Sequence, residues 1–271
     1  VILFQRLEGI LVMVAKIDRT GEIGYNNFGS KMEIIKYRKY SDVDIYFPKY
    51  NWITKHKNCN NFKRGNIICP YEPRYFEIGY LGEGKYKTKE NGKYTKCYNT
   101  WVNMLMRCYY SKYHEKESTY KDCTVCNDWL NFQNFAKWFY DNYYEIEGQR
   151  MCLDKDIINK GNKIYSPETC IFVPQIINTL FVKRNNDRGK SPIGTKFRKN
   201  GKYQVDCSIY DFKINESKSI YLGVYNTEIE AFNVYKEFKE KYIKEVANLY
   251  KDKIPQKLYN ALINYEVEIT D

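Results

Sequence analysis

Ile193-Gly194, the turn Lys199-Asn200-Gly201, Lys202-Tyr203-Gln204-Val205, Ile220-Tyr221-Leu222-Gly223-Val224-Tyr225 and Thr227 followed by Glu230-Ala231-Phe232 decide the fold class of this chain. Alternating apolar and polar residues, rich in aromatic and β-branched side chains, predict strands. Lys199-Asn200-Gly201 is a tight-turn signal, so Ile193 to Cys207 reads as a hairpin, with a third strand ending at Tyr225. Thr227 with Glu230 three residues on is a capping box. The helix it opens carries Ala231, Val234, Phe238 and Tyr242 along one face. Three strands followed by one amphipathic helix make a small α+β unit.

This unit, over roughly residues 190–250, resembles the Apetala-type DNA-binding domain of plant ethylene-response factors, which phages and homing endonucleases also carry. The resemblance implies that the three-stranded sheet lies in the major groove, a β-sheet mode of reading. Carried over by position, the groove-facing side chains are Lys196, Arg198, Lys202, Asp206, Ser208, Ser219 and Tyr221. The family pattern is richer in Arg and Trp. Ser208 and Ser219 stand where guanidinium groups are usual, which implies weaker base discrimination, because Arg is the common bidentate reader of guanine.

Charge agrees with a nucleic-acid partner, double-stranded DNA above all: 44 basic against 33 acidic residues give +11. Lys85-Tyr86-Lys87 and Tyr109-Tyr110-Ser111-Lys112 interleave aromatic and basic residues as stacking platforms do, although an AT-rich coding sequence also favours Lys, Asn, Ile and Tyr. No apolar run approaches the roughly 20 residues of a membrane helix, and Ile10 to Ala15 lacks signal-peptide flanks. Met13 is an alternative start that makes the first twelve residues a dispensable leader, and residues 1–18 are set apart as a leader or start-site extension. The nine cysteines, with no secretory signal, predict reduced thiols in a host-cell cytoplasm.

The organisation expected is multi-domain α+β. Residues 19–97 read as a small β-rich domain and linker, 98–185 as a central domain, 190–252 as the sheet-and-helix unit, and 253–271 as a C-terminal helix and tail. Strand-like runs at Met32 to Tyr37, Val43 to Phe47 and Phe62 to Ile68 suggest an N-terminal β-barrel of the Sm or Tudor kind. Gly79, Gly82 and Gly84 read as linker, since no Lys-Ser/Thr pair follows as a phosphate loop requires. Trp101, Met104, Leu105 and Cys108 recur at helical spacing with Asn99 as cap, Ser111 to Lys121 reads as a polar loop, and a second helix runs from Asn127 to about Tyr143.

Trp101, Arg107-Cys108-Tyr109, Val125-Cys126, Trp129, Leu153-Asp154-Lys155-Asp156, Asn159, Tyr165-Ser166-Pro167-Glu168-Thr169-Cys170 and Asn178 together resemble a phage-borne HNH-endonuclease-like family over roughly residues 98–183. Phage members are often fused to an Apetala-type domain. The resemblance implies a ββα fold holding one divalent ion, Mg²⁺ or Mn²⁺, beside the scissile phosphate. The pattern is degenerate. Asp154 occupies the position of the first His and Thr169 that of the orienting Asn, which puts cleavage in doubt. Asp154, Asp156 and Thr169 are the candidate catalytic residues; Asp154, Asp156 and Asn178 are the candidate metal ligands, with hard oxygen donors. An Asp is a poor general base unless its pKa is raised.

Two functions remain open on the sequence. One is metal-dependent DNA cleavage. The other is a non-cleaving nucleic-acid- or protein-binding derivative, a regulator or an inhibitor of host defence, whose partner is a defence protein or ribonucleoprotein. In that reading Asp154-Lys155-Asp156 merely fastens the following turn. Cys123-Thr124-Val125-Cys126 is half a structural zinc site at most, needing Cys108, Cys152 or Cys170 to complete it, and buried free thiols are the plainer reading. His56 and His114, the only histidines, read as solvated loop residues.

Overall fold

The computed structural model describes residues 17–182, 191–212 and 214–271, together with the backbone of β1 (Leu3–Leu7) and β2 (Ile10–Val14), an antiparallel pair. Residues 1–2, 8–9 and 15–16 of the proposed leader, residues 183–190 and residue 213 lie outside the described residues. The chain divides into two compact units, residues 1–87 with 130–135, and residues 88–129 with 136–271.

In the first unit β3 (Ile23–Tyr25), β4 (Lys31–Lys39), β5 (Asp42–Phe47) and β6 (Trp52–Lys57) form one antiparallel sheet in chain order. Alternation sends Met32, Ile34, Val43, Ile45 and Phe47 to a single buried face. The sheet is open, which corrects the expected barrel: β3 and β6 are its edges and do not pair. The physical reason lies in the segment expected to supply the closing strand. Asn58 caps Cys59–Lys63 by accepting from the Asn60 N–H at 2.8 Å, so this run is a short helix, α1. Phe62 and Ile67 then enter the core as plugs, covering the sheet without extending it. Gly82 is no linker residue either. Its φ is +66°, and a Cβ there would lie 2.2 Å from the Asn131 side chain.

The second unit opens with the hairpin of β7 (Lys89–Glu90) and β8 (Lys93–Tyr94). Helix α2 (Lys96–Tyr109) begins earlier than expected, because Thr95, not Asn99, is its cap: the Thr95 hydroxyl accepts from the Tyr98 N–H at 3.1 Å. Its apolar stripe buries Trp101, Met104, Leu105 and Cys108, and the Trp101 indole donates to the Trp129 carbonyl at 2.7 Å. Burying an indole of this size stabilises by about 2–3 kcal/mol, provided its N–H finds a partner. The expected polar loop contains helix α3 (Ser111–Lys116), which buries no residue and so leaves no apolar periodicity to read. After β9 (Thr124–Val125), α4 (Phe132–Asn142) places Trp138 and Phe139 against Phe172, with ring centroids at 5.4 and 5.2 Å.

β10 (Met151–Asp154) pairs antiparallel with β12 (Ile171–Pro174), and β11 (Ile164–Tyr165) between them pairs parallel with β9. Helix α5 (Gln175–Thr179) follows directly, giving a strand-strand-helix order with a helix of five residues. Then come β13 (Thr195–Phe197), β14 (Tyr203–Asp211) and β15 (Glu216–Tyr225), an antiparallel sheet in that order, and α6 (Glu228–Leu249), with the expected capping box intact. The far half of α6 and α7 (Gln256–Ile263) share a core with β12 and α5. Tyr242, Ile243, Val246, Leu258 and Leu262 meet Ile171, Val173 and Ile177 there, while Leu249 is exposed.

Candidate nucleic-acid interface and carboxylate site

Period-two alternation divides the C-terminal sheet into two faces. Val205 and Cys207, with the part-buried Tyr203 and Ile209, pack against Ala231, Phe232 and Tyr235 of α6. Gly194 makes this packing close. Its φ is +74°, and a Cβ would fall 1.9 Å from the Tyr235 ring. Tyr242 fixes the far end of β14 from below, its hydroxyl accepting from the Tyr210 N–H at 2.8 Å and donating to the Tyr210 carbonyl at 2.9 Å.

The other face is set by register. Lys196 stands beside Gln204, Asp206 beside Tyr221, Ser208 beside Ser219 and Tyr210 beside Ser217. Arg198 and Lys202 close the β13–β14 turn, the Arg198 N–H donating to the Lys202 carbonyl at 2.8 Å. Lys196, Arg198, Lys202, Ser208, Ser219 and Tyr221 are exposed, Tyr221 by 62%, and Asp206 is half-buried. Every residue expected to touch DNA from this sheet is therefore on its α6-distal face or in the turn bordering it. Gln204 was not among them, although its parity with Lys202 and Asp206 marks it. Arg198 donates to the Gln204 amide oxygen, and the Gln204 amide nitrogen donates to Asp206 at 2.6 Å, so one chain of hydrogen bonds orients all three. The cations gather on β13 and its turn; the β14–β15 end carries hydroxyls, with Lys218 ion-paired to Asp211 at 2.5 Å.

In the strand-strand-helix segment Asp154 ends β10 and its Oδ1 accepts from the N–H groups of Asp156 and Ile157 at 2.9 and 2.7 Å. This fastens the turn after β10. Asn162 completes the loop, its amide nitrogen donating to the carbonyls of Lys155 and Ile164 at 2.8 and 2.7 Å. Burial, with the Asp156 charge second, pushes the Asp154 carboxyl up to about 6, against two backbone hydrogen bonds that pull it down. Asp156 turns to Lys155, 3.3 Å away, and Lys155 is itself buried. Thr169 lies in the Ser166–Cys170 turn, donating to the Ile164 carbonyl at 2.8 Å with the Ser166 hydroxyl at 3.1 Å. Asn178 is half-buried in α5.

Among the described residues no group of three His, Cys, Asp or Glu ligand atoms within 4.8 Å includes Asp154, Asp156 or any cysteine. The Cys123–Cys126 pair therefore gathers no further thiol or imidazole, and burial raises the thiols of Cys108 and Cys170 to about 12. The group that does assemble is Asp42, Asp44 and His56, in the first unit. Its carboxylates already hold an arginine: Arg38 donates to Asp44 at 2.7 and 2.8 Å and to Asp42 at 3.1 Å. His56 Nδ1 stands 3.0 Å from Asp42, and the Arg38 hydrogen bond holds the Asp44 carboxyl at about 2. His114 is not a free loop residue; it is in α3, with Nε2 2.8 Å from the Arg107 carbonyl.

No family model matches the chain, and no curated protein or solved structure matches it significantly. No helix among the described residues is long and apolar enough to cross a membrane.

Proposed function

We propose that this chain is a DNA-binding protein of the phage or mobile-element type, which lays the outer face of its C-terminal sheet on double-stranded DNA. One observation carries the reading: Lys196, Asp206, Ser208, Ser219 and Tyr221 share the face that α6 leaves open, Arg198 and Lys202 stand in the turn bordering it, and Gln204 hydrogen-bonds Arg198 and Asp206. Phosphates meet the cations of β13 and its turn, and base edges meet the hydroxyls and the Arg198–Gln204–Asp206 chain. With few guanidinium groups on the face, sequence discrimination is modest. Fluorescence anisotropy with a labelled duplex tests this. Lys196→Gln/Arg198→Gln/Lys202→Gln in one protein is expected to flatten the slope of log affinity against log salt by roughly 2–3, at about 0.9 for each phosphate no longer neutralised. An unchanged slope removes the sheet as the DNA-binding surface.

A second reading, metal-assisted phosphodiester cleavage in the HNH-like segment, is favoured by one observation. The Asp154 pKa is raised, and among the described residues only its Oδ1 carries hydrogen bonds, so Oδ2 is available to take a proton or to join a Mg²⁺ or Mn²⁺ ion with Asp156 and Asn178. As general base, the Asp154 carboxylate takes the proton of the attacking water. Against it stand the engagement of Asp156 by Lys155 and the use of Thr169 as a turn fastener. Plasmid nicking in Mg²⁺ or Mn²⁺ that disappears in Asp154→Asn supports cleavage. Absence of nicking from a protein that still shifts DNA leaves the binding derivative, whose regulatory or defence-inhibiting partner is then sought by pull-down.

A further inference from the structure

Lys239 stands in the middle of α6 and is only 7% exposed. Helical periodicity puts it there: Phe232, Tyr235, Tyr242, Ile243 and Val246 are buried along the same stripe. An ammonium taken out of water without a counter-charge is costly, so a buried lysine ordinarily meets a carboxylate. Lys239 meets none. Among the described residues its Nζ makes neither a hydrogen bond nor an ion pair, and burial lowers its pKa, with only the buried Cys207 thiol acting against this. Glu240, the next acid on the helix, is taken by Lys236 at 3.2 Å and by the Val267 N–H at 2.8 Å.

Lys239 lines a small cavity with room for about one water-sized group. Phe181, Ile193 and Tyr235 are among its apolar and aromatic walls, and the C-terminal tail adds Tyr265, Val267 and Asp271. The tail is pinned in place. Lys236 donates to the Val267 carbonyl at 2.9 Å, and Lys160 donates to the Glu266 carbonyl at 3.0 Å and to Asp271 Oδ2 at 2.9 Å. The same Asp271 oxygen accepts from the Glu268 N–H at 3.0 Å. The one carboxylate in the lining is therefore already neutralised by Lys160, and the charge of Lys239 is left without an answer from the fold.

We propose that this cavity is a binding site for a small monovalent anion of halide size, which supplies the counter-charge that the Lys239 ammonium lacks. An ammonium has three donors and no acceptor, so its occupant must accept. Water accepts but brings no charge, and a phosphate-sized oxyanion exceeds the space. An anion held there ties α6 to the tail and to the segment that follows α5. The site stands apart from the DNA-binding reading and holds or fails whatever the sheet touches.

The test uses the full chain with bromide as the probe, against gluconate, which is too large for the cavity, at equal ionic strength. A ligand of the folded state stabilises by mass action, so bromide should raise the wild-type Tm saturably, by about 2–5 °C at about ten times its dissociation constant. Lys239→Met keeps the length of the side chain, removes the charge and should lose the rise. Lys251→Gln, at an exposed lysine, should keep it. General effects of bromide fall on all three proteins alike. Anomalous diffraction from wild-type crystals grown in bromide needs no variant, and it decides if Lys239→Met does not fold: a bromide peak in contact with Nζ is expected. No peak there, or a water in its place, overturns the site, as does a saturable rise equal in wild type and Lys239→Met. A peak without any bromide-dependent rise is binding at crystal concentration only and overturns it too.

Discussion

Replacing Asp154 by Asn should make the protein more stable at neutral pH, and replacing it by Ala should gain less. The Asp154 carboxyl ionises at about 6 in the folded chain, against an ordinary 3.8, because burial and then the Asp156 charge disfavour its ionised form. A folded-state pKa that is raised gives stability that is complete below the unfolded pKa and lost as pH rises through the folded one. Stability contributed here is therefore full below about pH 4, falls between about pH 4 and 6, and above that is lower by at most about 3 kcal/mol, at about 1.4 kcal/mol per pKa unit. An asparagine side chain at this position carries no charge, yet its amide oxygen still accepts from the Asp156 and Ile157 N–H groups. Asp154→Asn should thus be more stable than the wild type at pH 7, by up to about 3 kcal/mol, and indistinguishable from it near pH 4. Asp154→Ala strands both N–H groups and should sit about 1–3 kcal/mol below Asp154→Asn at either pH. Urea midpoints of the three proteins between pH 4 and 8 measure this. Equal pH dependence in wild type and Asp154→Asn would refute the burial argument and, with it, the case for Asp154 as a base.

Other consequences concern the scaffold that presents the sheet. Gly194→Ala combines a left-handed backbone with a Cβ inside the Tyr235 ring, and should lower stability by about 2 kcal/mol or more in thermal denaturation. Thr227→Ala removes one half of the capping box of α6 and should cost about 1 kcal/mol by urea titration, with little change in duplex affinity per folded molecule. Tyr242→Phe breaks both hydrogen bonds to Tyr210 and should cost about 1–3 kcal/mol, with faster amide exchange at Tyr210 by NMR.

What could be read in advance follows from how local each signal is. The β13–β15 hairpins, the third strand and the α6 cap are written in short-range patterns: a turn at Lys199-Asn200-Gly201, alternation, and a Thr–Glu pair three apart. The face of the sheet followed from parity, so Lys196 through Tyr221 could be placed, and Gln204 could have been. The first unit failed at Phe62 to Ile68, where an apolar run looks alike whether it is a strand or supplies two plugs from a capped turn of helix. Asn58 was the missed signal. Meetings of distant segments were not legible at all. Arg107, at the end of α2, meets the Tyr120 ring beyond α3. The pKa of Asp154 belongs to the same class, since burial by the surrounding fold, not the residue, sets it.

The central claim is that the sheet face, and not the helix behind it, touches DNA. Photo-cross-linking compares the two directly, with a photoreactive phenylalanine analogue placed at Tyr221 on the sheet, 62% exposed, or at Ile229 on α6, 57% exposed. With a labelled duplex the account predicts strong cross-linking from position 221 and background from position 229. Cross-linking from 229 alone, or equally from both, would contradict it.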